Sequence, residues 1–238
     1  MKFIAGTRLP LSEDSFIDAE AARFYDEHAR RFMGSVYRRL AVKAAGISLP
    51  GKRVLDVGTG SGLLAIELAK TRSDLFIKGI DISEEMLKLA RQNAARSGFN
   101  DNIEFRQAPA EALPFPDGSF DLVASNTSLH LWTDPRKVFQ EISRVTSPGG
   151  YCLVWDNLRL AVLSPFLGLI GMAMGMNAAQ CLLWMRAIRS SYTISEARAI
   201  IKESALQGAR VCIIPDFFML GIAWRKQPSQ LDMTTGVV

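Results

Sequence analysis

At 238 residues the chain is long enough for one large domain with a cap and too short for two ordinary α/β domains. Lys and Arg number 28 against 24 Asp and Glu, and the resulting net charge of +4 permits an acidic partner without demanding one. Two histidines, His28 and His130, argue against a His-rich metal site, and no metal is expected. Cys152, Cys181 and Cys212 are scattered with no CxxC pair, as in a reducing compartment. Met1–Arg8 breaks off too soon for a secretion signal, so the expectation is a cytoplasmic enzyme or binding protein.

From Asp18 to about Ala45 the pattern is helical, with Phe24, Phe32, Val36, Leu40 and Ala44 on one side. Arg30, Arg31, Arg38 and Arg39 form a basic side, read as a solvated face ahead of a nucleic-acid patch. Gly46 and Leu49-Pro50-Gly51 end the segment. A short apolar strand from Arg53 then runs into Gly58-Thr59-Gly60-Ser61-Gly62, and a helical pattern follows at once from Leu63. Asp74–Asp81 reads as a second strand. Ser83 is the N-cap of the next helix, with Glu84 and Glu85 in its first turn and Gly98 as its stop. Ile103–Gln107 is a third strand, Leu113–Gly118 a rigid loop, and Phe120–Ser125 a fourth strand. Asp134-Pro135 opens a helix carrying Val138, Phe139, Ile142 and Val145, and Ser147-Pro148-Gly149-Gly150 turns into a fifth strand, Tyr151–Trp155.

Strands alternating with helices predict a doubly wound parallel sheet. Thr193-Ile194-Ser195-Glu196 is a capping box opening a helix to about Leu206. Ala209–Ile214 and Phe217–Trp224 close one sheet edge as a hairpin or two adjacent strands, and a polar tail follows from Gln227. Between Arg159 and Arg186 no residue is charged, a length that reaches a membrane span. Ser164-Pro165 and Asn177 interrupt it, and a span would strand the last helix and strands away from their sheet. The expectation is therefore a pair of helices capping the carboxyl edge of the sheet, enclosing an apolar substrate or a partner subunit. A plain buried helix pair is the competing reading, and contact with a membrane surface and a homodimer both stay open. Met172, Met174, Met176 and Met185 suit an adaptable wall.

Two registers compete for the glycine turn. Gly60-Ser61-Gly62-Leu63-Leu64-Ala65 satisfies the dinucleotide pattern G-x-G-x-x-G/A, and Asp81 lies about 20 residues on, where an acid would bond a ribose hydroxyl. However, Val54-Leu55-Asp56-Val57-Gly58-Thr59-Gly60-Ser61-Gly62 has an acid on the strand before the first glycine. That stretch resembles motif I of class I S-adenosylmethionine-dependent methyltransferases. Gly79-Ile80-Asp81-Ile82-Ser83 is similar to the family's second motif. Ala110–Asp121 is similar to the loop and fourth strand of its small-molecule, quinone-biosynthesis-like branch, and Arg144–Gly150 to the turn before strand five. The resemblance runs closely from Arg53 to Trp155 and tips the balance to S-adenosylmethionine, with S-adenosylhomocysteine as product.

The resemblance implies a Rossmann-like, seven-stranded sheet, mostly parallel, with an antiparallel last strand and a helical cap. It implies one domain over 1–238: a helical lid at 1–50, the cofactor core at 51–157, an apolar cap at 158–190, the last helix and strands at 191–226 and a tail at 227–238. By matching position, Gly58, Thr59, Gly60 and Gly62 meet the amino-acid end of the cofactor, helped by Asp56. Asp81 accepts from the ribose hydroxyls and Ile82 lies against the adenine; Met86, Ala110, Glu111 and Asn126 complete the set. Where the family often has an Asp for the adenine amino group, this chain has Pro109. Asn126 is followed by Thr127-Ser128 rather than the Pro-Pro-aromatic triplet of amide and adenine methyltransferases, which argues against a DNA N6-methyltransferase and weakly against other nucleic-acid substrates.

No catalytic residue is universal in this family. His130, just after strand four, is the first candidate base, with a loop histidine as the plainer reading. Tyr25 resembles the tyrosine of the family's N-terminal lid, with an ordinary aromatic anchor as the alternative. The expected function is methyl transfer to a small, apolar or aromatic acceptor. The alternatives are an RNA methyltransferase (on the arginine helix and a pI of about 9.1), a nicotinamide oxidoreductase, and a non-catalytic module docking a protein or membrane through 160–185.

Overall fold

The computed structural model of the protein describes residues 8–9, 19–160 and 166–227. Asp18, Ser164-Pro165 and the tail beyond Gln227, all named above, lie outside them. Helix α1 (Ala19–Ala45) precedes an alternating core of β1 (Arg53–Val57), α2 (Leu63–Thr71), β2 (Phe76–Asp81), α3 (Glu84–Arg96) and β3 (Ile103–Gln107). Next come β4 (Phe120–Asn126), α4 (Pro135–Val145), β5 (Thr146–Asn157), α5 (Leu167–Ala173) and α6 (Ala178–Ser190). The chain closes with α7 (Ile194–Lys202), β6 (Arg210–Ile214) and β7 (Met219–Arg225).

The seven strands form one sheet in the order β3-β2-β1-β4-β5-β7-β6. The first five pair in parallel, and β7 runs antiparallel to both β5 and β6. Every residue of β4 is buried, as a central strand covered on both faces requires. Alternate side chains enter different layers: Leu55, Val57 and Val123 join Phe139 and Ile142 of α4, whereas Val54, Leu122 and Ala124 join Leu40 of α1 and Leu64 and Leu68 of α2. The chain winds outward from β1 to β3 and restarts at β4 on the other side of β1. The carboxyl ends of β1 and β4 therefore flank the switch point where such sheets open a crevice.

The expected caps are present. Ser83 accepts from Met86 N, Asp134 accepts from Arg136 N and Lys137 N with Pro135 in the first turn, and Thr193 and Glu196 form a capping box. The boundaries shift where local pairing overrides pattern. Strand β2 begins at Phe76, because Arg72 and Asp74 pair at 2.9 Å in the preceding turn. Strand β5 starts at Thr146, inside the stretch read as a turn: Thr146 pairs with Phe120, and the register then shifts before Leu122 meets Tyr151. Helix α7 ends at Lys202, and the hairpin form of the last two strands is realised across a 3-10 turn at Pro215–Phe217. The uncharged segment forms α5 and α6, and Asn177, read only as an interruption, is the N-cap of α6 in a capping box with Gln180. No described helix is long and apolar enough to cross a membrane.

Candidate active site

The glycine turn leaves β1 at the switch point. Gly58 has φ +68°, and a Cβ there would lie 2.6 Å from the Cβ of Ser128, so nothing larger fits against the end of β4. Gly62, the N-cap of α2, would bring a Cβ to 2.9 Å from the Phe105 ring. Asp81 ties the turn to β2: its carboxylate accepts from Gly60 N at 2.8 Å and from Ser83 N at 3.0 Å. A carboxylate has about four acceptor sites, so acceptor capacity remains for a ligand. Burial pushes the Asp81 pKa up, against the pull of the Ser83, Gly60 and Ile82 amides. Beneath the turn, Thr59 Oγ1 donates to Asp56 at 2.7 Å, yet burial still raises the Asp56 carboxyl to about 7.

Helix α1 is fastened over this turn. Asn93 of α3 donates to Asp26 at 3.1 Å and to the Ser61 carbonyl at 2.9 Å, joining lid helix, turn and α3 through one buried amide. Tyr25 is thereby held at the mouth of the turn, its hydroxyl bonded to Thr127 and Tyr37. Burial raises its pKa, so the phenol keeps its proton and acts as a donor rather than a base.

Three spaces open around Tyr25. A crevice of about 90 Å³ is lined by Gly58, Gly60, Asp81, Ile82, Met86, Ala110 and Glu111 among the expected cofactor residues, with Pro109 and Trp132 beside them. A small void of about 20 Å³ under the turn gathers Asp56, Thr59 and Asn126. Gly62 lines neither space; it serves helix packing. An inner cavity of about 190 Å³ shares Tyr25, Thr127 and Leu131 with the crevice and is closed by His28, His130, Asn157 and, from α6, Trp184. Helix α6, from the uncharged segment, lines this cavity through Leu183, Trp184 and Ala187.

His130 sits in a 3-10 turn, Leu129–Leu131, and is 4% exposed. Its Nδ1 lies 2.7 Å from Asp156 Oδ1, and its backbone N–H donates to Asp156 Oδ2, also at 2.7 Å. A carboxylate only accepts, so Nδ1 carries a proton, and in the neutral tautomer this leaves Nε2 as the acceptor. Arg8 donates to the His130 carbonyl at 2.9 Å, and Leu9 N bonds Arg189 O, so the first described residues strap the turn to the end of α6.

Residues 48–181 match the family profile described as a methyltransferase domain. The chain belongs to the class I S-adenosylmethionine-dependent methyltransferase family. Over 121 residues it is 39% identical to a ubiquinone/menaquinone biosynthesis C-methyltransferase of Geotalea daltonii, covering 50% of this chain and 51% of the relative. It is 40% identical over 123 residues to a 27-O-demethylrifamycin SV methyltransferase of Amycolatopsis mediterranei, covering 50% and 44%. The chain thus spans about half the length of the curated relatives it matches. In fold it is similar to a SAM-dependent methyltransferase from Aquifex aeolicus (TM-score 0.65, 21% identity, 87% of this chain and 98% of that one). It is also similar to human N-acetylserotonin methyltransferase, solved with SAM (TM-score 0.62, 19% identity, 88% and 57%).

As a class I methyltransferase the chain offers a fitting cofactor cradle by its own geometry. Among the described residues, Glu111 Oε1, on the crevice wall, and Asn126 Oδ1, beside Asp56, are buried with no hydrogen-bond partner. Buried acceptors left open in this way are what a polar ligand satisfies. Asp156, Thr127 and Trp132 were not singled out from sequence. An acid at the end of the apolar run Cys152–Trp155 was the available signal for Asp156, whereas the left-handed Thr127 (φ +54°) leaves no sequence trace.

Proposed function

We propose that the protein transfers a methyl group from S-adenosylmethionine to a small, apolar or aromatic acceptor bearing a protic group. The observation that carries this reading is the inner cavity, which shares Tyr25, Thr127 and Leu131 with the cofactor crevice and has the His130–Asp156 pair on its wall. Asp81 would hold the ribose hydroxyls, Ile82 and Pro109 the adenine, and the Gly58–Gly60 backbone with Asp56 and Asn126 the amino-acid end. When bound, the cofactor supplies a methyl group already activated on a sulfonium.

The rest falls to this chain's own residues. Tyr25 and Trp184 close the cavity against water, and the short reach between the two spaces aligns the acceptor. A base is needed where the nucleophile arrives protonated, and His130 Nε2 takes that proton while Asp156 fixes the ring and balances the imidazolium. The relatives named above are a ubiquinone/menaquinone biosynthesis C-methyltransferase and a 27-O-demethylrifamycin SV methyltransferase, and both names are in accord with a small-molecule acceptor. The arginine face of α1 does not favour the RNA alternative: Arg30 pairs with Asp26, Arg39 with Asp216, and Arg31 donates to Gly175 O.

Transfer of labelled methyl groups to a panel of phenols and enols tests the reading. His130→Gln should lower kcat by roughly a hundredfold to ten-thousandfold with S-adenosylmethionine affinity unchanged. Asp156→Asn should lower kcat in the same sense, with little change in acceptor KM. Wild-type rates in His130→Gln would remove the base from the scheme.

A further inference from the structure

His28 is a buried polar group that the methyl-transfer scheme leaves unused. It is 6% exposed, packs its ring 5.0 Å from Phe32, and is held neutral by burial, which lowers its pKa. A neutral imidazole has one donor and one acceptor, and among the described residues the buried Nδ1 has no hydrogen-bond partner. Buried polar atoms are nearly always paired, so an unpartnered ring nitrogen marks a place where something else supplies the bond.

The location of His28 says what. It lines the inner cavity and also an outer one of about 340 Å³, and the two share Met33, Asn157 and Trp184 as well. The outer cavity is walled by Phe32, Val36, Leu160, Leu167, Ile170 and Met176, an apolar set drawn from α1, α5, the chain leaving β5 and the turn between α5 and α6. At its rim stand Met174, 51% exposed, and Phe218, 69% exposed and held at φ +49°, a strained conformation for an aromatic residue.

We propose that the outer cavity is a second acceptor subsite and that His28, at the junction, reads a hydroxyl or carbonyl of the ligand. The acceptor class that follows is an amphiphile, with a hydrogen-bonding head in the inner cavity and an apolar body too large to be housed there. The direction of the head rests on the methyltransferase reading; the subsite itself is a matter of binding and is tested without the cofactor.

Calorimetric titration of the intact protein with para-alkylphenols, from ethyl to hexyl, and with the matching alkylbenzenes reads both parts. Affinity should rise about fourfold per added methylene, the gain for burying each one. Each phenol should bind at least about tenfold more tightly than its alkylbenzene. His28→Phe should reduce that preference by at least about twofold while sparing hexylbenzene, the His130 contact to the hydroxyl remaining, and His28→Gln, which restores a donor and an acceptor, should recover part of the loss. Ile170→Trp should flatten the dependence on chain length while leaving ethylphenol unaffected. Affinities independent of chain length would overturn the subsite, and a phenol preference undiminished in His28→Phe would overturn the role of His28. S-adenosylmethionine is titrated separately: its failure to bind, beside phenols behaving as expected, would remove the methyltransferase reading and leave the subsite standing.

Discussion

Asp56 shows how a single residue can serve a site at a cost to the fold. Its carboxyl, raised by burial from 3.8 to about 7, binds a proton in the folded state over a range where the unfolded chain has lost it. The sign follows: the stabilisation from this group is fully present below about pH 4 and is lost as pH rises through 7. Asp56→Asn keeps an acceptor for Thr59 without the charge. In denaturant titrations its stability relative to wild type should therefore improve between pH 4 and 8, and a pH-independent difference would contradict the assignment. Asp81 is likewise raised by burial, but it lines the crevice and orients the amides of Gly60 and Ser83. Both acids were legible in the sequence because each stands at a fixed spacing from the glycine turn within one contiguous stretch. Asp156 was not, since its partner His130 is 26 positions away and meets it only through the pairing of β4 with β5.

Among the elements, the reading from sequence was soundest where one residue decides a boundary. Ser83, Asp134 and Thr193 cap the helices they were expected to cap, because a side-chain oxygen satisfies amides three residues on whatever the tertiary context. Thr193→Ala should lower stability by about 1 kcal/mol in thermal or denaturant melts. Strand β5 was read five residues short at its start, because Thr146 joins the sheet by pairing with Phe120 and the glycines then bulge out. Helix α1 illustrates the same limit. Its periodicity was visible, but its attachment through Asp26, Asn93 and Ser61 is a contact of three distant segments. Asn93→Leu removes the donor shared by Asp26 and the Ser61 carbonyl and should cost about 1–3 kcal/mol. It should also weaken cofactor binding, because Tyr25 loses its anchor; unaltered affinity would separate the lid from the site.

At the scale of the molecule, the sheet order creates one switch point, and the crevice, the void under the turn and the inner cavity all meet there around Tyr25. The cofactor half of this arrangement lies within a contiguous stretch and was readable as motifs. The acceptor half is assembled from α1, α6 and the ends of β4 and β5, so its shape exists only in three dimensions, and composition indicated no more than its apolar character. The central claim is the cofactor itself, and calorimetric titration of S-adenosylmethionine into wild type and Asp81→Ala tests it most directly. Wild type should bind saturably at one site, with Asp81→Ala weaker by at least tenfold, about 1.4 kcal/mol. No binding by wild type, or equal affinity in the two proteins, would contradict it.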